Sequence, residues 1–146
     1  MSEDLDRMIK EHFSEKETIE LIKKLVSSPS HEGIENQETE VANHIYDFFV
    51  KEGIEAEIIP VCDGRCNVIA RLKGKGKGKG TGTGMGKTLL LTGHTDTVPP
   101  YDMPGNPYEI KIQDGRMFAR GVVDMKGGLA CMMMAMAAIK EPSWNM

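Results

Sequence analysis

His94 and Asp96 stand two positions apart in LLLTGHTDTVP (residues 89–99), where a run of leucines gives way to polar groups. Asp124 follows in GVVDMKGG (residues 121–128). A set of imidazole and carboxylate donors suits Zn²⁺ and its neighbours, whereas an all-oxygen set would suit Mg²⁺ or Ca²⁺. A carboxylate has two oxygens and can bridge two cations, while an imidazole needs a partner that orients it. Asp96, two residues on in an extended segment, can share the face of His94. Gly121, Gly127 and Gly128 permit close backbone approach, and Lys126 has no evident place in the site. Taken singly, either aspartate could simply cap a turn, and H-x-D alone is a weak signal.

The surrounding sequence supplies elements able to present these groups. Ser14 and Glu17 form an S-x-x-E capping box at a helix start. Ile19, Leu21, Ile22, Leu25 and Val26 then recur at helical spacing. Pro29 ends that helix, because proline disfavours helical geometry in the residue before it. A second helix is predicted from about Gln37 to Glu52, with Val41, Ile45, Phe48 and Phe49 as its apolar stripe and Gly53 as its stop. Residues 55–61 and 67–72 read as strands around the turn dipeptide Asp63-Gly64, and residues 108–112 and 116–119 as a second pair around Asp114-Gly115. Residues 88–92 read as a short strand with leucines on both faces, hence a buried central one. Gly93 lets the backbone turn as that strand leaves the sheet, so His94 lands beyond a carboxyl end, where α/β sheets form ligand sites. Residues 126–140 make a final apolar helix. Alternating helices and strands predict an α/β fold, a mixed sheet flanked by helices.

Several other features point to blander readings. KGKGKGKGTGTGMGK, residues 73–87, holds five lysines and no acid, and is expected to be a disordered loop. Its tail TGTGMGKT is one residue short of a phosphate-binding loop, with Thr81 where glycine is required. Low-complexity sequence precedes it and a strand follows, the wrong context for nucleotide. A loose attraction of that loop to polyanions is the weaker alternative function. Cys62 and Cys66 lack a second ligand pair at similar spacing, which favours free thiols over a structural zinc. Met132, Met133, Met134 and Met136 lie among alanine and leucine and read as core filler. His12, His31 and His44 sit in polar contexts and read as surface residues.

GHTDTVP followed by ARGVVDMKGG resembles, in residue type, order and spacing, the two N-terminal signatures of the M20 family of metallopeptidases and deacylases. That family includes acetylornithine deacetylase, succinyl-diaminopimelate desuccinylase, aminoacylase and carboxypeptidase-like enzymes. The SSPS after the first helix and NVIARLKG before the glycine-rich loop resemble the family as well. The resemblance implies an α/β/α sandwich and hydrolysis of an amide bond, by deacylation of an N-acyl amino acid or by peptide cleavage. It implies two Zn²⁺ ions per complete site, with Co²⁺ or Mn²⁺ as substitutes, activating a water while a glutamate carries the proton. It makes His94 a ligand to one metal, Asp124 the carboxylate bridging both, and Asp96 the catalytic-site residue that orients His94. Full-length relatives are implied to form homodimers.

The chain has 146 residues, 40% hydrophobic and 27% charged, with a net charge of −4, so it can bury a core and has no general pull toward nucleic acid. Its three cysteines form no disulfide framework, its N-terminus lacks a signal-peptide core, and its longest apolar run is short of a membrane span. A cytoplasmic location is expected. The family's glutamate base, its remaining metal ligands, its lid or dimerisation domain and the rest of the catalytic domain have no counterpart within residues 1–146. The expectation is therefore the N-terminal part of a catalytic domain, an incomplete fold that binds zinc weakly. A non-catalytic remnant or partner-binding module is the rival reading.

Overall fold

The computed structural model describes residues 14–73 and 88–140. The expected loop disorder, the phosphate-loop resemblance at residues 81–87, and His12 lie outside the described residues. Helix α1 (Glu15–Ser27) starts where the capping box predicts, with Ser14 Oγ accepting from the Glu17 N–H at 3.2 Å. It buries Leu21, Ile22, Leu25 and Val26 along one face. Helix α2 (Thr39–Lys51) buries Val41, Ala42, Ile45 and Phe49, and Gly53 follows it in the left-handed conformation that suits a C-terminal stop. Strands β1 (Glu55–Cys62) and β2 (Arg65–Arg71) form an antiparallel hairpin across Asp63-Gly64. Pro60 sits beside the irregularity in its register, where a missing N–H is tolerated. Arg65 grips the buried Glu38 carboxylate through Nη2 at 2.9 Å and Nε at 3.2 Å, fixing the hairpin to the start of α2.

Strands β3 (Lys111–Gln113) and β4 (Arg116–Phe118) form a second, smaller hairpin, turned by Asp114 and Gly115, both at positive φ. A single π-type turn (Val122–Lys126), broken by the non-helical backbone of Asp124 and Met125, leads into helix α3 (Gly127–Ile139). The apolar stretch Val122–Ile139 is long enough by composition to cross a membrane. The break at Asp124 leaves only 13 residues in regular helix. That is about 20 Å at 1.5 Å per residue, against roughly 30 Å of hydrocarbon. Instead, Leu129, Ala130, Met133 and Met134 pack into one core with α1, α2 and Ile54, so the methionines fill core space as their context predicted. Lys140 closes that packing by bonding the Glu52 backbone carbonyl and carboxylate at the end of α2.

The architecture is thus α/β and incomplete, with two separate antiparallel hairpins among the described residues in place of one mixed sheet. The predicted central strand at residues 88–92 is the main departure. No regular structure forms there, and Leu89 and Leu90 are 78% and 80% exposed. Leucines on both faces require cover on both faces and hydrogen-bonding neighbours on both edges; no described strand pairs with this segment. The apolar pattern is real, and its partners are not among the described residues.

His44 on α2 also departs from expectation, since it is partly buried. Burial and then the charge of Lys24, with a smaller push from Lys126, lower its imidazole below the ordinary 6.5, against the opposing pull of Glu40 and Asp47. The unfolded chain therefore binds more protons in this window, and stability falls as pH drops below about 6.5. In urea denaturation at pH 5 and pH 7.5, His44→Gln is expected to show a smaller loss on the acid side than the parent chain.

Candidate functional site

Three connecting segments build the site. The chain after α1, Ser28 to His31, carries two buried serines. The Thr97 N–H donates to the Ser30 carbonyl at 2.9 Å, Ser30 Oγ donates to the Thr95 carbonyl at 2.7 Å, and His31 bridges to Thr97 in parallel. His94 lies one residue before this clamped stretch. On the other side, Lys126 Nζ donates to the Ser28 carbonyl at 2.7 Å, and the Lys126 N–H donates to the Gly121 carbonyl at 2.8 Å, folding the turn that carries Asp124.

Packing is tight where these segments meet. A methyl group on Gly93 would stand 2.9 Å from side-chain carbons of Met125 and Leu129. The His94 N–H points at Met125 Sδ, 3.4 Å away. Gly127 leaves no room for a side chain, since a Cβ would lie 2.6 Å from the Val122 carbonyl oxygen.

The three sequence-predicted residues come together. His94 Nε2 is 2.8 Å from Asp124 Oδ1, while Nδ1 is 3.0 Å from the Asp96 carbonyl oxygen and 3.2 Å from Asp96 Oδ1. Asp96 therefore holds the imidazole from one side and Asp124 faces its opposite nitrogen. Both ring nitrogens face acceptors, so the arrangement calls for a proton on each, an imidazolium. Partial burial opposes that charge, but the hydrogen bond to Asp124, the bond to the Asp96 backbone and the two carboxylate charges outweigh it, and the net shift of the imidazole is upward.

A zinc ion between these two side chains would set its own spacing. Two donors on one tetrahedral zinc stand about 3.4 Å apart, given bonds of about 2.1 Å. The observed 2.8 Å is a hydrogen-bond separation, and the Asp124 side chain is 84% exposed, with no packing to stop it swinging outward. His94 and Asp124 thus fit as one pair of ligands. They are not a full set: among the described residues no group of three or more His, Cys, Asp or Glu side chains is placed to hold a metal ion.

Sequence reading missed Lys126. It is 1% exposed, the largest fully buried side chain, and burial pushes its ammonium down to about 8 despite the nearby Glu40. It also missed His31, which stacks on Tyr108 with ring centroids 6.4 Å apart. A lysine between Asp124 and two glycines, at the mouth of an apolar helix, was the only signal available for the first.

Comparison with known proteins points to a family. The model of peptidase family M20/M25/M40 matches residues 90–145, which contain both signatures. The resemblance to the M20 family is therefore borne out. Probable succinyl-diaminopimelate desuccinylases of Staphylococcus aureus strains MRSA252 and Mu50 / ATCC 700699 are 33% and 32% identical over 132 residues, covering 88% of this chain. The Staphylococcus epidermidis protein of the same name (strain ATCC 12228) is 31% identical over 132 residues, again 88% of this chain. The chain spans 29–30% of the length of these curated relatives.

Proposed function

We propose that this chain carries part of the active site of a metal-dependent amide hydrolase, acting on an N-acyl amino acid such as an N-succinyl compound or on a short peptide. The observation that carries the reading is the approach of His94 Nε2 to Asp124 Oδ1, with Asp96 on the other imidazole nitrogen. The relatives' printed name, succinyl-diaminopimelate desuccinylase, supports the substrate class. His94 and Asp124 would hold the metal, with zinc favoured by an imidazole–carboxylate pair. When bound, a zinc ion supplies Lewis acidity toward an amide carbonyl and lowers the pKa of a bound water.

The chain's own residues contribute orientation. Asp96 keeps the Nδ1 proton of His94 engaged and so turns Nε2 toward Asp124, and an acceptor on the far nitrogen commonly raises the basicity of a metal-binding imidazole. Asp124 keeps its second oxygen free of His94, and the M20 resemblance is the basis for assigning it the two-metal role. No described carboxylate stands in position for the proton shuttle, so we assign none.

Isothermal titration of the 146-residue chain with zinc tests the proposal. Binding is expected in the micromolar range or weaker, because roughly three protein ligands serve a catalytic zinc and two are in place here. His94→Ala and Asp124→Ala should each weaken it at least about tenfold, or roughly 1.4 kcal/mol. Zinc affinity unchanged in both variants would overturn the assignment. Amidase activity toward N-succinyl amino acids, with and without zinc, separates the enzyme from the binding-module reading.

A further inference from the structure

We infer that the Ser28–His31 segment is a positioning bracket that sets the separation of His94 and Asp124, with Ser30 and Lys126 as its two fasteners. The inference rests on the proposed metal-site reading for its consequence in zinc affinity, though its geometry stands apart from any metal. The two site residues come from segments 30 positions apart, and each segment is tied to the same four residues. Ser30 takes the first segment through both its carbonyl and its hydroxyl, at Thr97 N–H and the Thr95 carbonyl. Ser28 takes the second through its carbonyl, at Lys126 Nζ.

The bracket's own side chains are shielded from water, while Thr95 and Thr97 are half-buried. Ser28, Ser30 and Lys126 are each 1% exposed or less. Hydrogen bonds among such groups exchange little with solvent and fix geometry closely. His94 and Asp124, by contrast, are exposed side chains whose direct contact would be expected to loosen without support. Between the two segments the His94 N–H to Met125 contact is a weak sulfur bond. A rigid inner frame holding an outer pair is the arrangement needed where ligands must meet before any ion arrives. Ser30 and Lys126 touch neither ring nitrogen nor carboxylate in this frame; they act through the backbone at Thr95, Thr97 and Ser28.

The test uses the full chain with ¹⁵N-labelled histidine at one fixed pH. In the parent chain, Asp124→Asn is expected to shift the His94 Nε2 resonance, because that nitrogen loses its carboxylate partner. In the Ser30→Ala background the shift response should be largely lost, and likewise in Lys126→Met, which keeps the buried volume and serves if Ser30→Ala does not fold. Thr18→Ala is the control: it also deletes a buried hydroxyl that donates to a backbone carbonyl, that of Ser14 in α1, and should leave the response intact. Zinc affinity should fall about 10–100-fold in Ser30→Ala, the range usual when a hydrogen bond that supports a metal ligand's placement is lost.

An undiminished His94 response in folded Ser30→Ala and Lys126→Met overturns the bracket. Loss of the response in Thr18→Ala as well would also overturn it, since general loosening would then explain the effect. If zinc fails to bind the parent chain, the metal reading falls, and the nitrogen-shift comparison still decides the bracket.

Discussion

Lys126→Ala is expected to lower the unfolding free energy by about 3–5 kcal/mol, while Lys126→Met should cost about 1 kcal/mol or less. The alanine variant removes a long, fully buried side chain and leaves a cavity between α1 and the turn that carries Asp124. It also orphans the buried Ser28 carbonyl, at a cost of about 1–3 kcal/mol when no water reaches it. Methionine keeps nearly the same volume. It orphans the same Ser28 carbonyl, and in both variants that cost is offset by the loss of an ammonium whose burial is unfavourable, as its depressed pKa near 8 shows, so the cavity is what separates them. These two changes have opposite signs and largely cancel. Urea denaturation at pH 7 checks the pair, and equal losses in the two variants would mean that the hydrogen bond outweighs the packing. Because whole domains are stable by only about 5–15 kcal/mol, the alanine chain should sit near the edge of folding.

The contrast between Lys126 and Ser14 shows which parts of the molecule local sequence can reveal. Ser14 Oγ accepts from the Glu17 N–H within a single helical turn, so the S-x-x-E pattern alone locates the start of α1. Asp63-Gly64 and Asp114-Gly115 likewise carry their own turn chemistry, and both hairpins form where those dipeptides stand. His94, Asp96 and Asp124 were singled out because GHTDTVP and ARGVVDMKGG together resemble the M20 signatures, although neither residue set is specific alone. Lys126 was not legible, because its acceptor lies 98 positions away and nothing near it in sequence signals burial. His31 was misread for a similar reason: its polar neighbours Ser30 and Glu32 suggest solvent, while its ring lies on Tyr108, far along the chain.

Residues 88–92 failed in a different way. Periodicity reports that a segment prefers burial, but it does not report which strands will do the burying. The leucines at 89 and 90 kept their preference and found no described neighbour. The site itself formed regardless, since its geometry depends on the Ser30–Thr97 and Ser28–Lys126 ties rather than on sheet pairing at the leucines. Positioning of the ligand pair and completion of the sheet are thus separable in this chain.

That separation is put under most strain at Gly121, where alanine is expected to cost about 2–4 kcal/mol. Two independent effects add. Gly121 has φ +81°, a left-handed conformation that an L side chain adopts only at a cost of about 1–2 kcal/mol. A Cβ there would also stand 2.7 Å from Thr97 Cγ2, on the strand segment fixed by Ser30. Relief would require the Asp124 turn and the 95–97 segment to move apart, so His94 and Asp124 should separate as well. A double-mutant cycle resolves the two contributions. Thr97→Ser deletes Cγ2, so Gly121→Ala in that background should cost only the conformational share, about 1–2 kcal/mol. Zinc affinity should follow the steric share alone, falling in Gly121→Ala and recovering in the double variant. Equal stability losses for Gly121→Ala with and without Thr97→Ser would show that the segments do not press on one another at this point, and that the turn carrying Asp124 is set by its own backbone.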